Sequence, residues 1–417
     1  MAQSASPALS EPSPGPSGQG RRTVLYYCQH SVGLGHLVRS LAVAEALTRD
    51  FRVVVMSGGS VPPGLKVPAE VELVPLPVVT ASDGEGKALV SGEPGMDLET
   101  VWRRRRSLMS SLLDELRPAV IVVELFPFGR RQFAPEITDF LERAHRLGSR
   151  PVVVSSVRDI LVRGGPAQQA RDDEAAERLN RYFDLVVVHA DPRFARLEET
   201  FRPSVPVLPP VRYTGYVVPA YEPPPTSRSP RLDEGQPAEV VVSAGGGMTC
   251  GPLMRAAAEA HCRHLGSLGI STRLVTGPFL PAEEMAGLQV VAADCAGLSV
   301  ERFVPDFRAV LARASVSVSR CGYNTSLDLL RTGVPALVVP YDEGSQTEQA
   351  DRAQRLADLG AVRVLAARDL SPARLASEAV GLLSSTPVPV ALDLSGAEST
   401  AAAIGELVGR RTATPAL

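Results

Sequence analysis

The chain has 417 residues, of which 44% are hydrophobic and 21% are charged, a balance typical of soluble globular proteins. This composition excludes collagen-like, coiled-coil and wholly disordered proteins, and the length predicts two or three domains that each bury a core. The formal net charge of −3 provides no basic field to attract a phosphate backbone, so the sequence does not favour general nucleic-acid binding.

The chain begins with residues 1–21, which are rich in Ser, Pro and Gly and predict a disordered tail. This tail has no apolar core typical of a signal peptide, and no later run of about 18 apolar residues predicts a membrane span. The five cysteines are scattered without a CxxC pair, which predicts neither a zinc nor a redox site and favours a reducing compartment. We therefore expect a cytoplasmic protein.

Over residues 22–216, short β-branched runs alternate with helical patterns, which predicts a Rossmann-like domain with a parallel sheet. The predicted strands are Val24–Cys28, Val53–Met56, Val120–Val123, Val152–Ser155 and Leu185–Val188. The predicted helices are Leu37–Thr48, Glu99–Leu116, Phe133–Leu147 and Asp172–Tyr182.

A glycine-rich turn containing Gly33, Gly35 and His36 joins the first strand to the first helix. Such a turn points backbone N–H groups and the positive end of a helix at a ligand above the sheet. The third glycine of a dinucleotide fingerprint is replaced by Val38, and no acidic residue ends the second strand, so nicotinamide and flavin are not favoured. His36 is the best candidate for a catalytic base because an imidazole titrates near neutrality. The alternative role for His36 is that of a helix-start residue that orients a donor substrate or the loop.

Two acidic residues, Glu124 and Asp159, follow predicted strands of this first half. Either could orient His36 or bind the acceptor substrate; the alternative for each is a loop acid paired with a neighbouring arginine. The run Arg103–Arg106 lies on a predicted helix. Such a run is usually a solvated helix face; the alternative is that it contacts an anionic acceptor or a lipid surface.

The proline-rich segment 217–236 predicts a linker, and residues 237–395 predict a second Rossmann-like domain. Its predicted strands are Val240–Ser243, Arg273–Thr276, Val316–Ser319 and Ala336–Val339, and its predicted helices are Pro252–Leu265, Phe307–Ala314 and Thr325–Arg331. The first of these strands leads into a second glycine turn, Gly245–Gly247. Residues 396–417 hold a last helix, near Glu398–Val408, that we expect to dock on one of the domains. Two such halves predict a doubly wound α/β protein with a ligand cleft between its domains.

The most informative segment is Arg320–Asp328, where a buried strand ends, Gly322 allows a turn and a helix starts near Asn324–Thr325. A helix N-terminus beside an arginine and a threonine hydroxyl suits a diphosphate. One helical turn further on, the Asp328 carboxylate could accept hydrogen bonds from two ribose hydroxyls. The alternative is a capped helix with a solvated acid in its first turn.

Beyond the next strand, Glu348 and Gln349 stand where side chains could reach sugar hydroxyls. Together with Arg320–Asp328, this pair resembles the donor signature of GT-B nucleotide-sugar glycosyltransferases, written HCGWNSxxE with a closing acidic-Gln pair. The glycine turn before His36 and the Phe303–Asp306 segment resemble the MurG-like lipid-linked N-acetylglucosaminyltransferases of family 28. A likeness to family 1 UDP-glycosyltransferases extends over the same signature.

The resemblance implies two facing Rossmann-like domains, with the acceptor in the first and the donor nucleotide in the second. It implies an inverting displacement without metal or cofactor, in which the nucleotide-diphosphate sugar, UDP-linked, is a co-substrate. The roles carried over are Arg320 for the signature histidine beside the diphosphate, Asn324 and Thr325 beside the phosphates, Asp328 on the ribose, and Glu348 and Gln349 on the sugar. Arg320 and Asp328 depart from the signature's His and Glu. These departures leave the identities of the nucleotide's base and of the transferred sugar open.

The sequence thus predicts a glycosyltransferase with a small-molecule or lipid-linked acceptor, shaped by loops near Thr80–Asp97. A nucleotide-sugar hydrolase on the same scaffold and a non-catalytic sugar-nucleotide-binding protein are the alternatives. The sequence leaves the acceptor, a peripheral membrane contact and the oligomeric state open.

Overall fold

The computed structural model describes residues 20–30, 34–61, 65–81, 88–219, 237–245, 250–341 and 347–413. Most of the predicted tail and linker therefore lies outside the described residues. The same holds for Gly33, Gly246 and Gly247, three of the predicted site residues.

The first half of the chain forms a seven-stranded parallel sheet. Its strands, with those of a short hairpin, are Thr23–Cys28 (β1), Arg52–Ser57 (β2), Val71–Pro75 (β3), Val79–Ala81 (β4), Leu89–Ser91 (β5), Val120–Glu124 (β6), Val152–Arg158 (β7), Leu185–His189 (β8) and Val211–Tyr213 (β9). Strands β4 and β5 pair with each other, and the others lie in the order β3-β2-β1-β6-β7-β8-β9. The helices are Gly35–Leu47 (α1), Leu98–Leu116 (α2), Ala134–His145 (α3), Gln168–Tyr182 (α4) and Leu197–Thr200 (α5).

The second half repeats this architecture with six parallel strands. These are Glu239–Ser243 (β10), Ser271–Val275 (β11), Leu298–Glu301 (β12), Val316–Ser319 (β13), Ala336–Val338 (β14) and Arg363–Val364 (β15), in the order β12-β11-β10-β13-β14-β15. The helices are Gly251–Ala260 (α6), Ala282–Asp294 (α7), Phe307–Arg313 (α8), Tyr323–Thr332 (α9), Glu348–Asp358 (α10) and Pro372–Leu382 (α11). A single π-turn, His261–Leu265, follows α6.

The predicted doubly wound α/β fold is confirmed. The central strands β1 and β6 are apolar on both faces because helices cover both sides of the sheet, as in the buried pairing of Val24 with Val53 and Val120. Sequence analysis missed the edge strands β3, β9, β12 and β15. These short strands are partly exposed, so they lack a continuous apolar run.

The last helix, Gly396–Ala413 (α12), returns to the first half of the chain. Ala401, Ile404 and Val408 belong to the same buried cluster as Leu41 of α1, and Arg411 donates a hydrogen bond of 3.1 Å to the carbonyl of Pro151. The N-terminal lobe therefore consists of β1–β9, α1–α5 and α12, and the C-terminal lobe of β10–β15 and α6–α11. The short helix expected near Glu398–Val408 is longer than predicted, and it docks on the N-terminal lobe.

A disulfide joins Cys262, in the π-turn after α6, to Cys295, at the end of α7, with 5.7 Å between their Cα atoms. Sequence analysis paired no cysteines, because two cysteines 33 residues apart meet only after α6 and α7 have packed. The other three cysteines are buried free thiols. Because disulfides are rare in reducing compartments, the cysteines of this chain no longer favour such a compartment.

We expect the Cys262→Ser/Cys295→Ser double variant to lose about 3–4 kcal/mol of unfolding free energy, since the bond restricts the unfolded chain across a loop of this length. Chemical denaturation with and without reductant measures this loss. The double variant serves as its own control, because reductant should no longer change its stability. Five titratable thiols in the unfolded but unreduced wild type, instead of the three that the structure leaves free, would contradict the bond.

Candidate active site between the lobes

The strand order of each sheet reverses at one place, between β1 and β6 in the N-terminal lobe and between β10 and β13 in the C-terminal lobe. Loops that leave the carboxyl ends of such strands diverge and open a crevice, where ligands bind in open α/β sheets. Gly35 and Glu124 lie at the first crevice, and Gly245 and Arg320 lie at the second. The amide of Asn324 donates a hydrogen bond of 3.1 Å to the carbonyl of Gly35, so the predicted donor helix and the first glycine turn meet between the lobes.

His36 and Glu124 form a hydrogen-bonded pair at the first crevice. Nδ1 of His36 lies 2.6 Å from Oε1 of Glu124, which ends β6 and is fully buried. An ionised carboxylate only accepts hydrogen bonds, so Nδ1 carries the proton of the neutral ring and Nε2 carries the lone pair. Within the part of the chain that the structure describes, Nε2 has no hydrogen-bond partner, and the side chain is 17% exposed. Of the two predicted orienting acids, Glu124 is the one that contacts His36.

Two arginines surround this pair. Arg39, one helical turn after His36, donates a hydrogen bond to Glu124, and Nη2 of Arg130 lies 3.7 Å from the other carboxylate oxygen. Burial lowers the pKa of His36 to about 3, and the attraction of Glu124 offsets this only in part. Burial alone would raise the pKa of Glu124, but His36, Arg39 and Arg130 together lower it. At neutral pH the pair is therefore an imidazole and a carboxylate, a combination able to remove a proton from a hydroxyl.

Asp159 has a different environment from the one expected for an acid that orients His36. Its two oxygens accept hydrogen bonds of 2.8 and 2.9 Å from the guanidinium of Arg352 on α10, and the Tyr216 hydroxyl lies 3.4 Å away. Burial alone would raise the pKa of Asp159, but Arg352 reverses this and holds the pKa below its ordinary value. Asp159 therefore joins the lobes, and its arginine partner comes from the opposite lobe rather than from a neighbouring position.

The predicted donor signature forms the turn between β13 and α9. Helix α9 begins at Tyr323 after Gly322, one residue before the predicted start, and its first-turn N–H groups have no partner within the helix itself. Arg320 is 8% exposed, and its Nη1 donates hydrogen bonds of 3.1 and 3.4 Å to the carbonyls of Val339 and Pro340. Arg320 thus holds the end of β14 beside this turn. Thr325 is half-buried in the first turn of α9.

Tyr323 fastens this turn to the N-terminal lobe. Its hydroxyl donates a 3.0 Å hydrogen bond to the carbonyl of His189 and accepts one of 3.0 Å from the backbone of Val217. The guanidinium of Arg39 stacks 5.0 Å from the centre of its ring. The same arginine therefore contacts both the His36–Glu124 pair and the start of the donor helix.

Asp328 pairs with Arg308 of α8, whose Nε lies 3.1 Å from Oδ1. Burial raises the pKa of Asp328 to about 7, although Arg308 opposes that rise. The expected ribose-binding acid therefore already has a cationic partner within its own lobe.

Glu348 and Gln349 are the first two residues of α10. Oε1 of Glu348 lies 3.3 Å from Nη2 of Arg158, the last residue of β7 in the opposite lobe. The side-chain oxygen of Gln349 accepts hydrogen bonds of 3.2 Å from the backbone of Cys321 and of Tyr341. Gln349 thus ties the first turn of α10 to the two loops that border the second crevice.

Four residues that link the lobes were not predicted as site residues: Arg39, Arg158, Arg352 and Tyr323. Arg130, which lies beside Glu124 within the N-terminal lobe, was not predicted either. Arg39 and Arg352 each lie one helical turn after a predicted site residue, and this spacing is a usable signal. Arg158 ends β7 beyond its apolar run and Arg130 precedes a short helical turn, and nothing in the sequence singles out either residue.

A cavity of about 590 Å³ opens in the N-terminal lobe between α2 and the start of α3. Leu89, Leu98 and Trp102 supply its apolar wall, so it lies beside the loops that the sequence analysis assigned to the acceptor. In the arginine run on α2, Arg105 is fully buried and pairs with Glu136 at 2.8 Å, whereas the other three are exposed. The run is therefore not a wholly solvated face, and three of its four arginines are accessible to a ligand.

Among the residues that the structure describes, no group of three or more His, Cys, Asp or Glu side chains is arranged to hold a metal ion. No helix within the described ranges is both long and apolar enough to cross a bilayer.

Residues 274–392 match the family model for the glycosyltransferase family 28 C-terminal domain, a range that contains Arg320–Asp328, Glu348 and Gln349. The chain is 37% identical over 89 residues to the UDP-N-acetylglucosamine--N-acetylmuramyl-(pentapeptide) pyrophosphoryl-undecaprenol N-acetylglucosamine transferase of Syntrophotalea carbinolica, covering 21% of this chain and 25% of that protein. It is 27% identical over 141 residues to the enzyme of the same name from Lactiplantibacillus plantarum, covering 34% of this chain and 39% of that protein. The aligned segments thus span a quarter to two fifths of these relatives' length.

Among solved structures, the chain is similar to UGT71G1 of Medicago truncatula complexed with UDP-glucose, with a TM-score of 0.56 and 15% identity over 94% of this chain and 98% of that one. For CalG4, the calicheamicin glycosyltransferase, the TM-score is 0.54, with 19% identity over 94% of this chain and 95% of that one. For Acinetobacter baumannii MurG, the TM-score is 0.50, with 15% identity over 92% and 99%. These likenesses show the GT-B fold, and the resemblance to family 28 is confirmed in the C-terminal lobe.

Proposed function

We propose that the chain is a glycosyltransferase that moves a sugar from a nucleotide-diphosphate donor, UDP-linked, to an acceptor hydroxyl. The observation that carries this proposal is the meeting of two half-sites between the lobes. The His36–Glu124 pair lies at the N-terminal crevice, and the family 28-like signature turn faces it, with Asn324 bonded to Gly35. Proton removal and diphosphate binding thereby come together at one place.

The proposed reaction is an inverting displacement without metal. The acceptor oxygen attacks the anomeric carbon, the bond from that carbon to the diphosphate oxygen breaks, and the acceptor proton passes to Nε2 of His36. Glu124 stabilises the imidazolium that forms through its 2.6 Å hydrogen bond to Nδ1. The electron pair of the broken bond stays on the nucleoside diphosphate, whose charge the N-terminus of α9 and the guanidinium of Arg320 would stabilise.

The acceptor is proposed to enter from the N-terminal lobe, where the 590 Å³ cavity beside Trp102 offers an apolar wall. Arg106, one of the exposed arginines of α2, lines the same cavity and would suit an anionic or lipid-linked acceptor at a membrane surface. Cytoplasmic location and peripheral membrane contact belong to this proposal.

The test is to incubate the purified full-length chain with UDP-glucose or UDP-N-acetylglucosamine, with and without a panel of hydroxyl acceptors, and to measure release of UDP and of free sugar. We expect UDP release that depends on the acceptor and stops in His36→Gln. Rapid release of free sugar without acceptor would identify a hydrolase instead. Tight donor binding without turnover would identify a binding protein.

A further inference from the structure

Arg158 and Glu348 form an ion pair across the cleft. This ion pair is separate from the His36–Glu124 pair. Arg158 ends β7 in the N-terminal lobe, and Glu348 opens α10 in the C-terminal lobe, with 3.3 Å between Nη2 and Oε1. Glu348 is 6% exposed, and Arg158 has a side-chain exposure of 16%. Two charges withdrawn from water in this way need good pairing, since removal of either partner leaves an uncompensated buried charge.

The ion pair leaves one atom of each residue unsatisfied. Oε2 of Glu348 and Nε of Arg158 are buried and have no hydrogen-bond partner among the described residues. Buried polar atoms without a partner are uncommon in native structures, and each one calls for an explanation. Here the two unsatisfied atoms are complementary, because the carboxylate oxygen can only accept a hydrogen bond and the guanidinium nitrogen can only donate one.

Neighbouring contacts hold the pair in place. Asp159, next to Arg158, binds Arg352, which lies one helical turn after Glu348 on α10. Arg352 also donates a 2.8 Å hydrogen bond to the carbonyl of Cys321 in the signature turn. The end of β7, the first turn of α10 and the donor turn are therefore fixed relative to one another, and the unsatisfied atoms have a fixed environment.

We propose that Arg158 of the N-terminal lobe completes the donor-sugar site by orienting Glu348, and that this site takes a neutral hexose. The inference rests on the proposed function. A sugar hydroxyl can both donate and accept a hydrogen bond, so neighbouring hydroxyls of one pyranose satisfy Oε2 of Glu348 and Nε of Arg158. The ion pair is electrically neutral overall, and a uronate would bring a second carboxylate beside Glu348.

The experiment measures dissociation constants of UDP, UDP-glucose, UDP-N-acetylglucosamine and UDP-glucuronate for the full-length chain by calorimetry. The wild type should bind at least one of the two neutral UDP-sugars more tightly than UDP and more tightly than UDP-glucuronate. Arg158→Met should reduce the advantage of that sugar over UDP by about tenfold or more, since a hydrogen bond to a charged group is lost and Glu348 loses its orientation. Its affinity for UDP alone should change less than about threefold. Arg158→Lys keeps the charge and should retain part of the advantage.

The matched control is Arg355→Met. Arg355 lies further along α10 and pairs with Glu199 of the N-terminal lobe, so this variant breaks an interlobe ion pair away from the sugar. It should keep the advantage of the neutral sugar. The Arg158→Met/Glu348→Gln double variant avoids a buried unpaired carboxylate if the single variant folds poorly. It should lose no more of the advantage than Glu348→Gln alone, because Arg158 acts through Glu348.

An unchanged advantage in Arg158→Met, an equal loss in Arg355→Met, or strongest binding of UDP-glucuronate would overturn the role of Arg158 and leave the transferase proposal standing. Absence of any UDP or UDP-sugar binding to the wild type would overturn the proposed function itself.

Discussion

Replacement of His36 by alanine is expected to lower kcat by about 10²- to 10⁴-fold, the usual contribution of a positioned general base. The reason is that Nε2 is the atom of the His36–Glu124 pair that is left to take the acceptor proton. Initial rates of UDP release with donor and acceptor at saturation measure the effect. His264→Ala is the matched control, since His264 is an exposed histidine of the C-terminal lobe, and it should keep wild-type rates.

The same variant distinguishes a base from a residue that orients the donor. A base contributes to kcat, so the affinity of His36→Ala for the UDP-sugar should stay near that of the wild type. A tenfold weaker donor affinity with kcat preserved would assign His36 to donor binding. Wild-type values of both quantities would remove it from the mechanism.

The pH dependence of the wild type follows from the same pair. A base works in its deprotonated form, and burial lowers the pKa of His36 to about 3, so the imidazole stays neutral well below pH 6.5. The acid limb of the kcat/KM profile should therefore fall below about pH 5 instead of near the ordinary histidine pKa. A limb centred near pH 6.5 would show that His36 is not the titrating base or is not buried during catalysis.

Replacement of Asp159 by alanine is expected to lower the unfolding free energy by about 3–5 kcal/mol, because it leaves the guanidinium of Arg352 buried without its partner. Arg352 is 1% exposed, and both of its hydrogen bonds to Asp159 are shorter than 3 Å. Urea unfolding at neutral pH measures the loss. Arg146→Met is the control. Arg146 directly follows α3 and pairs with Glu142 at the surface, so its replacement should cost at most about 1 kcal/mol.

The interlobe pair also predicts a pH window. The pKa of Asp159 is lower in the folded chain than its ordinary value of 3.8, so its contribution is complete above that value and disappears as the pH falls through the folded pKa. The stability difference between the wild type and Asp159→Ala should therefore shrink below about pH 4. The Asp159→Asn/Arg352→Met variant, which removes both charges, should recover most of the stability at neutral pH. A single variant as stable as the wild type would show that the pair does not hold the lobes together.

The sequence alone predicted the α/β fold because its strands and helices have local signals. A buried parallel strand such as β1 is a run of apolar residues, and a helix such as α1 carries a periodic apolar face. The donor signature could be identified for the same reason, since Arg320–Asp328 lies in a single strand–turn–helix unit. Edge strands such as β15 were missed, because two partly exposed residues have no distinctive pattern.

The partners within the site depend on the tertiary structure. His36 meets Glu124 across 88 positions of sequence, Asp159 meets Arg352 across 193, and Asn324 meets Gly35 across 289. Sequence analysis treated Glu124 and Asp159 alike, since both are acids that follow apolar strands. They differ because β6 adjoins β1 at the reversal of strand order, where α1 presents His36, whereas β7 ends against α10 of the other lobe. The local sequence thus determined which residues were candidates for the site. The packing of the two lobes decided which charged partner each candidate contacts, because ion pairs and hydrogen bonds depend on distances that only the folded chain creates.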